Sequence, residues 1–187
     1  MTPPRAGVEV RDSTAVDLPL LAGLHMACFK DGLGGEVWSE AAIGRILALP
    51  GAFGLLAIAV PHAGAASPAP AGFLLGRAIV SDVEVLSLGV PDFWRGQGVA
   101  RALLSAAVHR ARGLGAERIL LEAAEDNAAA CALYAAEGFA VIGRRPAYYR
   151  RPPGPAVTAL VFARPLAPCG GAAPGGTKIG PARAGSG

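Results

Sequence analysis

Short apolar runs alternate along this sequence with segments of helical periodicity, and the alternation predicts an α/β protein. The predicted strands lie at residues 8–10, 52–60, 71–80, 83–90, 118–123, 139–145 and 156–163. The predicted helices, marked by capping or breaking residues, lie at residues 12–29, 40–49, 98–114 and 128–137. We therefore expect one mixed sheet with helices on both faces and a crossover through the helix at 98–114.

Length and composition fit a single domain followed by a tail. The 187-residue chain is 52% hydrophobic, and we place the domain at residues 8–166. Residues 1–7 are expected to be loose, and residues 167–187, rich in Gly, Ala and Pro, are expected to be disordered. No apolar run approaches the ~20 residues that span a bilayer, and the N-terminus lacks the apolar core of a secretory signal. We expect a cytoplasmic protein with no membrane partner.

The charge distribution argues against a nucleic-acid partner. The formal charge is +3, but the tail contributes Lys178 and Arg183 without any acidic residue. The rest of the chain, with 15 basic and 14 acidic residues, therefore carries only +1. The three cysteines and three histidines are widely spaced, so neither a disulfide framework nor a metal site is predicted.

The stretch that follows the strand at 83–90 carries the first chemical signal. The sequence Arg95-Gly-Gln-Gly-Val-Ala100 is a glycine-rich turn that leads into the helix at 98–114. Unpaired backbone N–H groups and the positive end of the helix dipole bind phosphate at such turns, and Arg95 and Arg101 could add contacts. A plain strand-to-helix connection is the alternative. The lysine of a P-loop and the spacing of a dinucleotide fingerprint are absent, so the pattern favours another kind of pyrophosphate-sized site.

Seven short motifs make residues 85–150 similar to the GNAT superfamily of acetyl-coenzyme A-dependent N-acetyltransferases, and within it to the bacterial ribosomal-protein-alanine N-acetyltransferases. They occur in the family's order and spacing, and a weaker match lies at Trp38-Ser-Glu40. The likeness covers nearly all of residues 8–166. The motifs are Leu88-Gly-Val90, Arg95-Gly-Gln-Gly-Val-Ala100, Leu121-Glu122, Asp126-Asn-Ala-Ala-Ala130, Ala132-Leu-Tyr134, Glu137-Gly-Phe139 and Arg144-Arg-Pro-Ala-Tyr-Tyr149.

The resemblance implies a GNAT fold, in which a mostly antiparallel sheet is splayed between two parallel strands. It also implies acetyl-coenzyme A as the co-substrate, with no metal. Backbone groups near Leu88 and Val90 would hold the thioester and pantetheine arm, which Asn127 and Tyr134 would also border. Glycine would be needed in the loop that holds the pyrophosphate, because a Cβ there would block its close approach. This loop is formed by Arg95, Gly96, Gln97, Gly98, Val99 and Ala100.

Two residues are candidates for the proton transfers that amide formation needs. The resemblance places the general base on Glu122, at the end of an apolar strand, and the general acid on Tyr134, which would protonate the departing thiolate. The alternative for Tyr134 is an ordinary core tyrosine. The alternative for Glu122 is an ion pair with Arg118 or with a basic residue on a neighbouring element, and Glu84 competes for the base role.

The acceptor side of the predicted site has alternatives as well. Trp38 is either a hydrophobic staple onto Ile43 or a wall of the acceptor site. Tyr148 and Tyr149 either lie near a peptide acceptor or pack on the sheet as strand aromatics. Ribosomal-type relatives carry an acidic pair just before the last strand, where this chain has Pro153-Gly-Pro-Ala-Val157. This departure counts against a ribosomal-protein substrate.

The expected function is transfer of an acetyl group from acetyl-coenzyme A to a primary amine, by a monomer or weak dimer. At pH ~7.5 an α-amine with a pKa of ~7.8 is roughly one-third neutral, whereas a lysine with a pKa of ~10.4 is roughly 0.1% neutral. The α-amine of a protein N-terminus is therefore the favoured acceptor. The alternatives are a small-amine acetyltransferase and a non-catalytic acetyl-coenzyme A sensor, and the presence of both Glu122 and Tyr134 favours an enzyme.

Overall fold

A seven-stranded mixed sheet forms the frame of the protein. The computed structural model describes residues 7–30, 36–60, 67–150 and 153–166. The sheet order is β1-β2-β3-β4-β5-β7-β6, and neighbouring strands pair antiparallel except for the parallel pair β4 and β5. This arrangement confirms the predicted mixed, mostly antiparallel sheet. The strands are β1 (Gly7–Asp12), β2 (Ala52–Val60), β3 (Ala69–Ile79), β4 (Asp82–Gly89), β5 (Arg118–Ala124), β6 (Ala140–Tyr149) and β7 (Val157–Pro165).

Helices cover both faces of this sheet, as predicted. In the described ranges they are α1 (Leu18–Phe29), α2 (Glu40–Leu47), α3 (Val99–Gly113) and α4 (Ala128–Ala136). Successive residues of a strand point to opposite faces, and β3 shows the division. Leu74 packs in the cluster that contains α3, whereas Phe73 and Leu75 pack in the cluster that contains α1 and α2. The helix α3 is the crossover that the parallel pair β4 and β5 requires.

The corner between β1 and α1 is fixed by the buried carboxylate of Asp17. Arg11 donates to it from both terminal nitrogens, at 2.7 and 2.9 Å. The backbone N–H and hydroxyl of Thr14 donate to the same carboxylate at 2.8 and 3.0 Å. These hydrogen bonds, that of Arg11 above all, hold the pKa of Asp17 far below its ordinary value.

Two predicted boundaries are wrong, and the others agree within two residues. The helix predicted from residue 12 begins at Leu18, because residues 15–17 form a separate 3-10 turn. The strand predicted to end at Arg145 continues to Tyr149. It passes Pro146 because β6 is an edge strand and residues 146–148 bulge out of its pairing with β7.

The predicted termini fall largely outside this description. Residues 1–6 and the expected disordered tail at 167–187 lie outside the described residues. Gly7 was expected to be part of a loose N-terminus but instead pairs with Val60 as the first residue of β1.

Candidate active site

The strands β4 and β5 separate partway along their length. They pair only from Asp82 with Arg118 to Val85 with Leu121, although both strands continue beyond these pairs. Leu86 causes the departure, because on the β3 side Gly76 faces Val85 and Leu75 faces Ser87, which leaves Leu86 as a bulge. A bulge bends its strand and increases the local twist. The result is the splay between parallel strands that the resemblance implied.

A cleft of about 1090 Å³ opens where the strands separate. Its walls come from α1, the segment before α2, β4, β5, α4 and β6, so both faces of the splayed sheet contribute to it. The volume is slightly above the ordinary range of about 300–1,000 Å³ for ligand sites. The cleft brings together eight residues predicted from the sequence, namely Trp38, Glu84, Leu88, Glu122, Asn127, Tyr134, Tyr148 and Tyr149.

Glu122 lies near the end of β5 and forms an ion pair in the cleft. Its Oε1 is 3.1 Å from Nη2 of Arg145, on β6. Arg145 reaches across the intervening strand β7, on which its register partner is Ala159. Glu122 therefore has the basic partner on another element that the alternative predicted. It also has the position in the cleft that a general base needs.

Arg118, the other partner considered for Glu122, is engaged elsewhere. It donates two hydrogen bonds to Asp82, at 2.8 and 2.9 Å, and this pair joins the first residues of β4 and β5. The Arg118 hydrogen bonds lower the pKa of Asp82. The competing carboxylate, Glu84, stands opposite Leu120 in the paired part of the seam, so it is two residues behind Glu122 along the strand direction.

Tyr134 is a buried residue of α4 that still lines the cleft. Its ring packs on Phe162 and Phe139, with centroids 5.4 and 6.0 Å away. Burial raises the pKa of the phenol well above its ordinary value, so the hydroxyl remains a proton donor at neutral pH. Asn127 caps the same helix, because its Oδ1 accepts a hydrogen bond from the N–H of Ala130 at 3.1 Å.

The glycine-rich loop lies beyond the end of β4 and outside the cleft. Gly96 and Gly98 have φ values of +73° and +85°, and Gly98 is the N-cap residue of α3. An added Cβ at either glycine would meet no atom within 4 Å, so in this structure glycine is required for its backbone conformation. The first N–H groups of α3, at Val99 and Ala100, have no partner within the helix.

The polar side chains of this loop mostly brace the loop itself. Arg95 pairs with Asp92 at 2.9 Å and donates from Nε to the carbonyl of Val90 at 3.2 Å. Gln97 donates from Nε2 to the carbonyl of Phe93 at 2.9 Å. Anion binding here would therefore rely first on backbone N–H groups.

Two further arginines near the site are also ion-paired. Arg101 of α3 lies 2.6 Å from Glu137, and Arg144 lies 2.6 Å from Glu125. These pairs, like that of Arg145, partly neutralise the positive charge of the arginines around the site.

The three aromatic residues predicted on the acceptor side line the same cleft. Trp38 packs against the cluster that contains Ile43 and stacks on His25, with ring centroids 4.9 Å apart. Tyr148 is half-exposed and meets Tyr149 edge to face at 5.1 Å. The guanidinium of Arg145 lies 5.5 Å from the Tyr148 ring. Sequence reasoning missed the roles of His25 and Arg145, because their partners are brought to them only by the fold.

Within residues 7–30, 36–60, 67–150 and 153–166, no group of three or more His, Cys, Asp or Glu side chains is arranged to hold a metal ion. None of the helices in these ranges is long and apolar enough to cross a membrane.

Known proteins are similar to this chain in sequence and in fold. Residues 28–139 match the Acetyltransferase (GNAT) family. The N-alpha-acetyltransferase RimI of Mycobacterium tuberculosis is 34% identical over 158 residues, which are 80% of this chain and 89% of that protein. The ribosomal protein bS18-alanine N-acetyltransferase of Haemophilus ducreyi is 29% identical over 91 residues, which are 49% of this chain and 63% of that protein.

Solved structures give the same answer for the fold. The crystal structure of the ribosomal-protein-S18-alanine N-acetyltransferase from Escherichia coli superposes with a TM-score of 0.70 at 23% identity, covering 88% of this chain and 97% of that one. The family match covers more than half of the chain, and the mycobacterial relative is matched over most of its length. This chain therefore belongs to the GNAT family of acetyltransferases.

Proposed function

We propose that this acetyltransferase moves an acetyl group from acetyl-coenzyme A to the α-amine of a protein N-terminus. The single observation that carries the proposal is that Glu122 and Tyr134 line one cleft from different elements, β5 and α4. The amine and the leaving sulfur must each exchange a proton during the reaction, and these two side chains are of the types suited to the two exchanges. The names of the mycobacterial and Haemophilus relatives support an α-amine as the acceptor.

The residues present fit acetyl-coenzyme A, which supplies an activated acetyl thioester. The N–H groups at the start of α3, around Gly98, Val99 and Ala100, are suited to its pyrophosphate. Leu88 and Asn127 line the opened part of the cleft, where they would flank the pantetheine arm. Arg95 and Gln97 would support the site by holding the loop in shape.

In the proposed mechanism, Glu122 accepts the proton that the acceptor ammonium must lose before its nitrogen can attack. The new C–N bond forms at the thioester carbon as the C–S bond breaks. The nitrogen gives up a second proton to solvent as the amide forms, and Glu122 passes the first proton on to solvent. Tyr134 donates its phenolic proton to the departing sulfur and regains one from solvent. The buried position of Tyr134 supports this role, because burial disfavours the phenolate and keeps the proton on the oxygen.

The chemistry of the acceptor favours an α-amine over a lysine. At pH ~7.5 roughly one-third of an α-amine with a pKa of ~7.8 is already neutral. A single carboxylate, held in place by Arg145, therefore suffices as a base. The segment before β7 lacks the acidic pair of ribosomal-type relatives, which counts against a ribosomal protein as the substrate.

The test is free-thiol release from acetyl-coenzyme A against matched acceptors. One peptide begins with Ala and contains Arg and Lys, a second is identical but blocked at its N-terminus, and the third acceptor is a polyamine. Turnover with the first peptide alone supports the proposal. Turnover with the blocked peptide or only with the polyamine would move the acceptor to a lysine or a small amine.

A further inference from the structure

His25 is a buried histidine that the proposed chemistry does not use. It is only 2% exposed on α1, yet it lines the cleft. Its ring lies among aromatic neighbours, with centroids 4.5 Å from Phe29, 4.9 Å from Trp38 and 5.5 Å from Phe73. The Trp38 contact is nearly parallel, with an interplanar angle of 20°.

The same histidine also holds the backbone of the segment that precedes α2. Its Nδ1 accepts a hydrogen bond from the N–H of Trp38 at 3.2 Å. Accepting this bond requires the neutral ring, with its proton on Nε2. Burial lowers the pKa of His25 to about 4, so the ring is in the required form at neutral pH.

We propose that His25 is a positioning residue for the acceptor side of the cleft, which it shapes by fixing Trp38 through the Nδ1 hydrogen bond and the stacked rings. The proposal rests on the proposed function, because it assigns Trp38 to the wall against which the acceptor binds. Trp38 directly precedes Ser39, whose side chain caps α2. Its main-chain position is thus set from one side by the helix start and from the other by His25.

This assignment makes His25 act on acceptor binding and leaves acetyl-coenzyme A binding unchanged. The cofactor residues proposed above lie on β4, α3 and α4, whereas His25 and Trp38 lie on α1 and before α2. Replacing a residue that merely stabilised the core would change the KM for both substrates, or would change only the melting temperature. The Michaelis constants for the two substrates therefore separate positioning from packing.

Two substitutions divide the contributions of the ring and of the hydrogen bond. His25→Phe keeps an aromatic ring for stacking but removes the acceptor atom. His25→Asn removes the ring but carries Oδ1 at the same number of bonds from Cα as Nδ1. Loss of a partner for a buried N–H costs enough to change an equilibrium about tenfold, so we expect His25→Phe to raise the KM for the Ala-initiating peptide about tenfold.

The matched variant, His25→Asn, is expected to recover a peptide KM close to that of wild type. His25→Asn should hold the peptide KM within about threefold of wild type, and both variants should hold the acetyl-coenzyme A KM within about twofold, well inside the effect of the lost bond. In a Trp38→Leu background, His25→Phe should change the peptide KM less than twofold, because residues that act through one another are not additive. An unchanged peptide KM in His25→Phe, no recovery in His25→Asn, or parallel changes for both substrates would overturn the proposal.

A fluorescence measurement separates this proposal from the function on which it rests. The chain has two tryptophans, so Trp94→Phe leaves Trp38 as the reporter. His25→Phe in this background should increase acrylamide quenching of Trp38, and His25→Asn should not. Increased quenching without turnover of any amine would keep the His25–Trp38 link and reject the proposed function, whereas unchanged quenching would reject the link itself.

Discussion

The carboxylate of Glu122 and the guanidinium of Arg145 are joined across β7, 3.1 Å apart. Both side chains are partly exposed, at 25% and 55%, so the pair contributes at most about 1 kcal/mol to stability. Its larger effect is on the orientation of the carboxylate. A carboxylate already directed into the cleft can accept a proton without first having to be ordered.

The first prediction concerns this carboxylate. Glu122→Gln should lower kcat for the Ala-initiating peptide by about 10²-fold, near the low end of general-base contributions, because an α-amine is partly neutral without help. The defect should shrink as the pH rises from 6 to 9, since solvent then removes more of the ammonium proton. Steady-state thiol release across this range is the measurement.

Glu84→Gln is the matched control, since Glu84 lines the same cleft from the neighbouring strand. It should change kcat by less than about threefold, as expected of a carboxylate with no role in proton transfer. If Glu84→Gln is as damaging as Glu122→Gln, the base role is shared or belongs to Glu84.

The second prediction concerns the acid. Tyr134→Phe should lower kcat about 10²-fold while leaving the KM for acetyl-coenzyme A nearly unchanged, because only the hydroxyl is removed. Since burial raises the pKa of Tyr134, the wild-type enzyme should show no loss of kcat from phenol ionisation up to about pH 10. Stopped-flow or steady-state thiol release measures both effects.

Tyr149→Phe provides the comparison, because Tyr149 lies in the same cleft and retains its ring in the variant. A loss in kcat for Tyr149→Phe equal to that for Tyr134→Phe would contradict the assignment of the acid to Tyr134.

The third prediction concerns stability at the corner between β1 and α1. Asp17→Asn should lower the free energy of unfolding at pH 7 by about 1–3 kcal/mol, because a buried, hydrogen-bonded carboxylate is lost. The folded-state pKa of Asp17 is lowered, so the unfolded chain binds the proton first as the pH falls. The advantage of wild type is therefore complete above the ordinary pKa of about 3.8 and declines below it.

Urea denaturation at pH 7 and pH 3 tests this statement. The control is Asp92→Asn, whose carboxylate is 85% exposed in its pair with Arg95 and should matter by less than about 0.5 kcal/mol. Equal effects of the two substitutions, or an Asp17→Asn defect that grows at pH 3, would be inconsistent with the prediction.

The fourth prediction uses two glycines with equally open surroundings. An added Cβ meets nothing within 4 Å at Gly98 or at Gly23, but only Gly98 has a positive φ. Gly98→Ala should therefore destabilise by about 1–2 kcal/mol and weaken acetyl-coenzyme A binding, whereas Gly23→Ala, within α1, should stabilise by about 0.5–1 kcal/mol. Thermal unfolding and calorimetric titration with acetyl-coenzyme A measure the two effects, and the same sign of stability change for both would contradict the argument.

Local patterns in the sequence were sufficient for most strands and helices, whereas the mostly antiparallel, splayed sheet and most of the cleft residues were predicted from the family resemblance. The splay itself depends on the Leu86 bulge, and the neighbouring apolar residues Val85 and Leu86 are equally compatible with a regular strand. The end of β6 was missed for a related reason. Pro146 normally ends a strand, but it is tolerated on an edge strand where the pairing has already bulged.

The contacts that tune the site could not have been predicted. Arg145 and Glu122 lie on strands that β7 separates in the sheet, so their ion pair depends on the strand order and register. His25 meets Trp38 because of how α1 packs on β3. Nothing in the sequence pattern identifies either residue as the partner of the other. Such pairs join residues that are distant along the chain, so they depend on register and helix placement, which local periodicity does not specify.

The short pairing of β4 with β5 also has a consequence for how ligand binding affects the whole molecule. The sheet consists of two leaves that are joined through four residue pairs. One leaf contains β1 to β4, and the other contains β5, β7 and β6. Beyond Val85 and Leu121, each leaf presents backbone N–H and C=O groups to the gap. A ligand arm that carries amide groups would bond to both leaves there, in the manner of an added strand. Such a ligand would hold the two leaves together, so the free energy of unfolding would rise with the concentration of the ligand.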